Sequence, residues 1–282
     1  SGFYLAMFVV LAALILRPVA FKYRSKAESA VWRQTWDWAL FVGGAVPPVI
    51  FGVAVGNVLQ GAPFYLTDDL RPVYEGSFLA LLDPFSLLCG LTAVAMMVMH
   101  GGAWLGFKAE GPVARRARTA GRWAALAVVV LFAGGGAWLG LGIEGYAFTD
   151  APAPDGPSNP LMSEVVRGGS WLAAYGARPW IAVAPALGFL GAGLVWLGLS
   201  TRWEGLTFLA STLSVVGVVS TVGLTMFPFI LPSSIDPDSS LTVWDASSSH
   251  ATLFNMLVVT VIFLPIVLAY TAWVYRVLWG KV

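Results

Sequence analysis

The sequence predicts an all-α fold, a polytopic membrane protein built as a helical bundle, and two observations carry this prediction. Of the 282 residues, 58% are hydrophobic and 11% are charged, whereas soluble domains carry roughly 25% charged residues. The apolar residues also form continuous segments near the length of about 20 residues that crosses a bilayer. We therefore expect one integral membrane domain, residues 1–282, that contacts the lipid bilayer and no nucleic acid.

Seven apolar segments are predicted to span the membrane, each bounded by charges, Gly or Pro. They cover approximately residues 2–16, 36–60, 84–107, 120–143, 180–200, 206–231 and 251–275. All but the first are long enough to span with some tilt. The first is short, Ser1 is not an initiator Met, and no signal-peptide pattern is present. We therefore expect a fragment whose first helix begins upstream of Ser1.

A polar hinge from Arg17 to Asp37 separates the first two segments and sets the predicted orientation. Connectors rich in Lys and Arg stay on the cytoplasmic side, and 13 of the 16 basic residues, Arg202 and Lys281 among them, lie on the hinge side. The opposite connectors hold 11 of the 15 acidic residues. They are residues 61–83, 144–179 and 232–250. We predict that these three are outer loops and that the C-terminus is cytoplasmic.

The longest outer loop, residues 144–179, divides into two halves. Its Pro-rich half, DAPAPDGPSNP, is expected to be irregular. The second half has spaced apolar residues and could form a short helix at the membrane interface, or simply cover the bundle.

Small and hydroxyl residues indicate how the helices pack. Membrane helices approach closely through small residues, and two such motifs occur, Gly52-x-x-x-Gly56 and Gly136-x-x-x-Gly140. In the sixth segment one helix face carries four hydroxyls. They are Ser211, Ser214, Thr221 and Thr225. This pattern favours a packing seam over a solute path.

Ionisable residues near the spans are the first candidates for function, because burying them is costly. Asp37 lies at the entrance of the second segment, on the same side as Arg17. The two could meet across the hinge, or could be unrelated interfacial charges. Asp83 and Asp245 precede the third and seventh segments and are candidate helix caps.

The histidines and the cysteine do not predict a metal site. His100 and His250 belong to opposite ends of their segments, so the two cannot share one metal. Cys89 is the only cysteine and lies in an apolar run, which excludes an intramolecular disulfide and a thiolate cluster. No catalytic residue is predicted in this chain.

Five sequence segments resemble a known protein family, which composition alone cannot show. They are SGFYLAMFVVLAALILRPVAFKYRSK, WDWALFVGGAVPPVIFGVAVGNVLQGAPF, MFPFILPSS, LTVWDASSSHATL and LAYTAWVYRV. Together they resemble subunit II of the cytochrome bd ubiquinol oxidases, from Ser1 to about Arg276. The resemblance implies two four-helix bundles plus a peripheral helix, nine helices in all, of which seven are present here.

The resemblance also implies a function. It points to a complex of the bacterial inner membrane that oxidises quinol and reduces O2 to water, with protons taken up from the cytoplasm. A larger subunit I would carry haems b558, b595 and d, and small single-helix subunits could join. This chain would bind no haem directly, would support assembly and haem retention, and could hold a structural quinone.

Three positions match motifs of that family. Arg17 in LRPVAFKYRSK and Asp37 in WDW become candidates for proton entry or charge anchoring, and Asp245 in WDASSS for a structural role. Two other functions remain as alternatives, a secondary transporter and a pure assembly scaffold without pathway residues. Pro47–Pro48 is the best candidate for the broken helix that a transporter uses.

Overall fold

A computed structural model describes residues 2–150, 156, 158–201, 203–278 and 280. Within that part, seven helices are long and apolar enough to cross a membrane, which confirms the predicted all-α membrane fold. They are α1 (Gly2–Tyr23), α2 (Ala30–Gln60), α3 (Pro84–Lys108), α4 (Gly111–Gly142), α6 (Val183–Thr201), α7 (Glu204–Met226) and α8 (His250–Val277). A short helix, α5 (Ala173–Ala177), precedes α6.

The connection between α1 and α2 is shorter than the polar stretch in the sequence. α1 continues past Arg17 to Tyr23 and α2 begins at Ala30, so only residues 24–29 join them. Basic residues can stay helical there because their long apolar stems carry the charge towards water. We call the end of the molecule that holds this connector the hinge end, and the opposite end the β-layer end.

α3, α4, α6 and α7 form a four-helix bundle with one apolar core. Its hinge-end half is filled by buried side chains such as Met99, Ala125 and Leu199. Gly102 lets α3 and α4 touch there, because a Cβ at this position would lie 2.7 Å from the Cα of Gly121. The backbones thus pack as closely as small residues allow.

Of the two predicted glycine motifs, one packs helices and one does not. A Cβ on Gly52 would lie 2.5 Å from the carbonyl oxygen of Cys89, so α2 packs tightly on α3. A Cβ on Gly136 would meet nothing within 4 Å, and one on Gly140 would meet Leu172 from loop 144–179. The prediction that Gly136-x-x-x-Gly140 packs helices was therefore wrong, since this face of α4 borders open space and a loop.

α1 and α8 lie outside the four-helix bundle. α1 packs on α2. α8 has no buried residue along its length, all of which the structure describes. Near the hinge end its Tyr275 ring lies 5.8 Å from the ring of Trp104 on α3. These two helices therefore present their apolar side chains outward.

Short strands cover the β-layer end, which the sequence did not predict. In the described residues they form three antiparallel pairs. The pairs are β1 (Phe64–Leu66) with β2 (Pro72–Tyr74), β3 (Gly145–Asp150) with β4 (Glu164–Gly169), and β5 (Phe229–Leu231) with β6 (Leu241–Thr242). The second half of loop 144–179 thus forms β4 and then α5, while residues 151–155 and 157 of its Pro-rich half lie outside the described part.

Aromatic side chains fix this layer to the helices. Trp171, Tyr146 and Phe229 are buried together with Leu59 and Phe85 from α2 and α3. The indole nitrogen of Trp171 donates to the carbonyl of Leu59 at 3.0 Å. The layer is therefore a fixed cap over the bundle.

The hydroxyl face of α7 acts mainly as a packing seam. Ser211 donates to the carbonyl of Phe208 in its own helix at 2.7 Å, and Thr221 to that of Gly217 at 2.7 Å. Ser214 donates across to the carbonyl of Gly188 on α6 at 2.8 Å. Such bonds satisfy buried hydroxyls in an apolar setting. Thr221 and Thr225 also line the cavity described next.

Candidate functional site: an apolar cavity and a hinge-end ion pair

A cavity of about 880 Å³ occupies the β-layer half of the bundle. Its walls come from α2, α3, α4, α5, α6 and α7. Its volume falls in the range of about 300–1,000 Å³ that small-molecule sites in proteins occupy. Among the described residues, none of those that line it is charged. The cavity is therefore suited to an apolar, uncharged ligand.

Small residues in the wall create this space. Gly136 on α4 and Gly223 on α7 both line the cavity, and a Cβ on either would meet nothing within 4 Å. Ala93 on α3 adds a third small residue to the wall. The same bundle that is filled by Met99 and Leu199 at the hinge end therefore opens towards the β-layer.

Two hydroxyls meet at the β-layer end of the cavity. The Tyr175 hydroxyl on α5 lies 3.0 Å from the Thr225 hydroxyl on α7. Arg178 holds α5 nearby, because its guanidinium donates to the carbonyl of Phe227 at 3.0 Å and lies 5.1 Å from the centre of the Phe227 ring. Sequence reasoning missed Tyr175, which belongs to no motif and reaches the cavity only through the fold of its loop.

Asp37 forms an ion pair at the hinge end, with Arg24. The Arg24 Nε lies 2.5 Å from Oδ1 of Asp37, and one terminal nitrogen lies 3.2 Å from Oδ2. Both side chains are about half exposed, at 47% and 49%. The hydrogen bond and charge of Asp37 raise the pKa of Arg24 above its ordinary value. The pair therefore joins the end of α1 to the start of α2.

Of the two alternatives left open for Arg17 and Asp37, the structure does not show the meeting across the hinge, because Asp37 pairs with Arg24. Arg17 lies opposite Gly43 of α2, where a Cβ would come within 2.7 Å of its Cγ. Gly43 is six residues beyond Asp37, about 9 Å along a helix. Because the hinge is short and α1 and α2 run antiparallel, Arg24 is the arginine that comes level with Asp37.

Asp83 has the geometry of an N-cap for α3. Its Oδ1 accepts from the backbone N–H groups of Phe85 and Ser86 at 2.9 and 3.1 Å. Burial raises the pKa of Asp83, but hydrogen bonds from Ser86, Gln60 and Phe85 outweigh it, so the pKa lies below its ordinary value. The charged carboxylate suits the positive end of the helix dipole.

Asp245 does not cap α8, contrary to the sequence prediction. Ser249 occupies the cap, and its hydroxyl accepts from the backbone N–H of Thr252 at 3.4 Å. Asp245 is only 1% exposed, and its Oδ1 accepts from the backbone N–H of Thr242 at 2.9 Å. Its Oδ2 is buried and has no hydrogen-bond partner among the described residues, so only one oxygen of the carboxylate is bonded in the turn between β6 and α8.

The two histidines lie at opposite ends of the molecule. His100 Nδ1 is 2.9 Å from the hydroxyl of Ser211 towards the hinge end, whereas His250 begins α8 at the β-layer end. Among the described residues, no group of three or more His, Cys, Asp or Glu could hold a metal ion. These residues do not fit a haem with two histidine ligands.

A second ion pair, not predicted from the sequence, joins three helices at the hinge end. Arg118 of α4 donates to Glu204 of α7 at 2.6 Å and to the carbonyl of Gly106 on α3 at 3.0 Å. The two side chains are 22% and 23% exposed. The arginine satisfies a carbonyl of the last turn of α3, so the pair fixes the closed half of the bundle.

Comparison with known proteins shows which family this chain resembles. The family described as cytochrome bd terminal oxidase subunit II matches residues 1–278. The chain is 43% identical to the cytochrome bd-I ubiquinol oxidase subunit 2 of Escherichia coli K12, over 100% of this chain and 75% of that protein. It is 42% identical to the probable cytochrome oxidase subunit 2 of Haemophilus influenzae, over 100% of this chain and 74% of that protein.

A solved structure shares the fold. The bd oxidase from Geobacillus thermodenitrificans includes a chain that matches with a TM-score of 0.58 at 13% identity. The match covers 98% of this chain and 73% of that chain. The family match spans nearly all of the sequence and agrees with the helical membrane fold. The chain belongs to the cytochrome bd terminal oxidase subunit II family.

Proposed function

We propose that the chain is the non-haem subunit II of a cytochrome bd-type quinol oxidase and supports assembly and haem retention of the complex. The family match over residues 1–278 carries this proposal. The complex oxidises quinol and reduces O2 to water. The chain is not expected to be active alone, because electron transfer would take place in its partner.

The haems b558, b595 and d are assigned to the partner, subunit I. In this chain, His100 is hydrogen-bonded to Ser211 and its ring lies 5.0 Å from that of Phe208. His250 lies at the far end of the separate helix α8. Because the two histidines lie far apart, we assign the haems to the partner. We infer that this chain stabilises the partner through the apolar helix faces that it exposes.

A structural quinone is proposed to occupy the apolar cavity. The volume of about 880 Å³ and the uncharged wall support this assignment. An isoprenoid quinone is itself uncharged and mostly apolar, so it matches both features. The Tyr175 and Thr225 hydroxyls supply the few polar groups that orient a ligand in an apolar site.

The hinge end is proposed to face the cytoplasm, with the C-terminus on that side. Clusters of Lys and Arg at one end of the helices support this orientation. Two of the basic residues counted, Arg202 and Lys281, lie outside the described residues. In this orientation Arg17 and Asp37 lie where protons would enter, and the ion pair of Asp37 with Arg24 supports a charge-anchoring role.

A reduced-minus-oxidised visible spectrum tests the proposed function. Membranes that contain the full-length protein with its subunit I are compared with membranes that contain subunit I alone. We expect the bands of the b and d haems only when both proteins are present. Identical spectra would contradict a role in assembly or haem retention and would favour the transporter alternative.

A further inference from the structure

One arginine at the hinge end of the bundle lies deeper in the apolar span than its neighbours. Arg122 of α4 follows Arg118 by four residues, which places it about 6 Å further along the helix. We propose that Arg122, held over the ring of Trp196 on α6, forms a binding site for the phosphate of an anionic phospholipid in the leaflet at the hinge end. This site lies on the outer surface of the bundle and is separate from the cavity.

Arg122 has no hydrogen-bonding partner within the described part of the chain. Its Nε is buried and bonds to no protein group, and its terminal nitrogens, which are not buried, also lack a bond there. By contrast, Arg118 is paired with Glu204. A buried donor without an acceptor is costly. The donors of Arg122 are therefore available to a group that comes from outside the chain.

The helices that pack around Arg122 offer no carboxylate for its charge. α4 and α6, both described over their whole lengths, contain no Asp or Glu. Glu204, at the start of α7, is held by Arg118 at 2.6 Å. An uncompensated charge within a membrane span is costly. A lipid phosphate would supply the negative charge, because a guanidinium binds phosphate through paired hydrogen bonds.

Trp196 holds the guanidinium near the membrane boundary. The guanidinium carbon of Arg122 lies 5.0 Å from the centre of the Trp196 ring, within the range of a cation–π contact. Trp196 is five residues from Thr201, the end of α6, or about 8 Å along the helix. It is 40% exposed, and Trp123, the next residue on α4, is 69% exposed. Because tryptophans concentrate at the level of lipid head groups, the two rings place Arg122 at that level.

The stripe of α4 that contains Arg122 suits the rest of a lipid. Leu126 and Val130 follow it at steps of four residues, are exposed, and lie further from the hinge end, where acyl chains pack. Arg115, also exposed, lies seven residues before Arg122, two turns or about 10 Å towards the hinge end on the same side. A second positive charge on the head-group side strengthens the attraction for an anionic lipid.

The test is native mass spectrometry of the purified complex of the full-length protein and subunit I, delipidated and then titrated with dioleoyl phosphatidylglycerol. We expect Arg122→Gln to retain one lipid fewer than the wild type at limiting lipid. It should need roughly 5- to 10-fold more lipid to regain it, the effect of one guanidinium on one phosphate. The d-haem band per complex should be unchanged.

Arg116→Gln is the matched control. It removes the same charge from the same helix, at an exposed position about 120° around α4 from Arg122. It should retain the wild-type number of lipids. Equal losses in the two variants would overturn the site, because net charge would then explain the binding. A wild-type complex that retains no phosphatidylglycerol would overturn it as well, since protein would then cover this face.

A second variant and two competitors test the site without removing the arginine. Trp196→Leu takes away the ring beneath the guanidinium, and should weaken retention of the same lipid roughly 2- to 5-fold. It also decides the matter if Arg122→Gln fails to assemble. Phosphatidylcholine, which has no net charge, and inorganic phosphate, which has no tails, should not displace the lipid from the wild type. Displacement by either one, or full retention in Trp196→Leu, would overturn the proposed site.

Discussion

The two halves of the four-helix bundle use glycine in opposite ways. At the hinge end, Gly102 lies against the backbone of α4, and the surrounding core is filled. At the β-layer end, Gly136 faces open space and helps to form a cavity of about 880 Å³. The same residue type therefore closes one half and opens the other, and its neighbours decide which.

Gly102→Leu should produce the largest effect and would test whether the hinge-end half is truly closed. A Cβ there would lie 2.7 Å from the Gly121 Cα and 2.8 Å from the Ala117 carbonyl oxygen. Backbone atoms cannot move aside as a flexible side chain can, and overpacking is destabilising. We expect at least a roughly tenfold loss of assembled, haem-containing complex, measured by the d-haem band per amount of membrane protein.

The matched variant for this comparison is Gly134→Leu. It is the same substitution at a position where a Cβ meets nothing within 4 Å. It should leave the haem bands near the wild-type level. Equal losses in both variants would mean that helix propensity or insertion, and not close packing, limits assembly.

Arg118→Ala should produce the next largest effect, because it removes the ion pair that fixes the closed half. Glu204 would keep a partly buried charge, and the carbonyl of Gly106 would lose its donor. Leaving buried polar groups without this partner costs about 1–3 kcal/mol. We expect a lower thermal midpoint of the purified complex. Arg118→Lys should recover part of the loss. It restores the positive charge but not the planar guanidinium that donates to both Glu204 and the Gly106 carbonyl.

Asp83 allows a smaller test at the end of the bundle that holds the cavity. Replacing an N-cap by Ala costs about 0.5–2 kcal/mol, so Asp83→Ala should lower the thermal midpoint of the complex modestly at neutral pH. Asp83→Asn should retain most of the cap, because Asn caps helices about as well as Asp. A midpoint of Asp83→Ala equal to that of wild type would show that the cap is not limiting.

The lowered pKa of Asp83 predicts how the stability of the complex depends on pH. The folded-state pKa of Asp83 is lowered, so its contribution to stability is fully present above the unfolded value of about 3.9 and is lost as the pH falls through the folded-state value. Wild type should therefore lose stability relative to Asp83→Asn only below about pH 4. A difference that appears near neutral pH would point to another group.

The sequence predicted the spans well because each is marked by a long apolar run between charges. It did not predict the strands, since each is only two to six residues long, which is too short for an alternating pattern to stand out. Arg24 was not considered as the partner of Asp37, because the sequence alone did not show that α1 continues to Tyr23 and that only residues 24–29 join it to α2. Tyr175 was missed for a related reason: only the folded loop brings it to Thr225.

Asp37 gives the subtlest prediction, because its ion pair is exposed whereas that of Arg118 is partly buried. Exposed pairs add little to stability, so haem content should be unchanged in both Asp37→Asn and Arg24→Gln. If the carboxylate itself accepts entering protons, oxidase turnover should fall in Asp37→Asn and less in Arg24→Gln, which keeps the carboxylate. Equal falls would indicate charge anchoring instead. Unchanged turnover in both variants, with intact haem bands, would favour the pure scaffold, and the functional contribution of this chain would then lie in the bundle and its cavity.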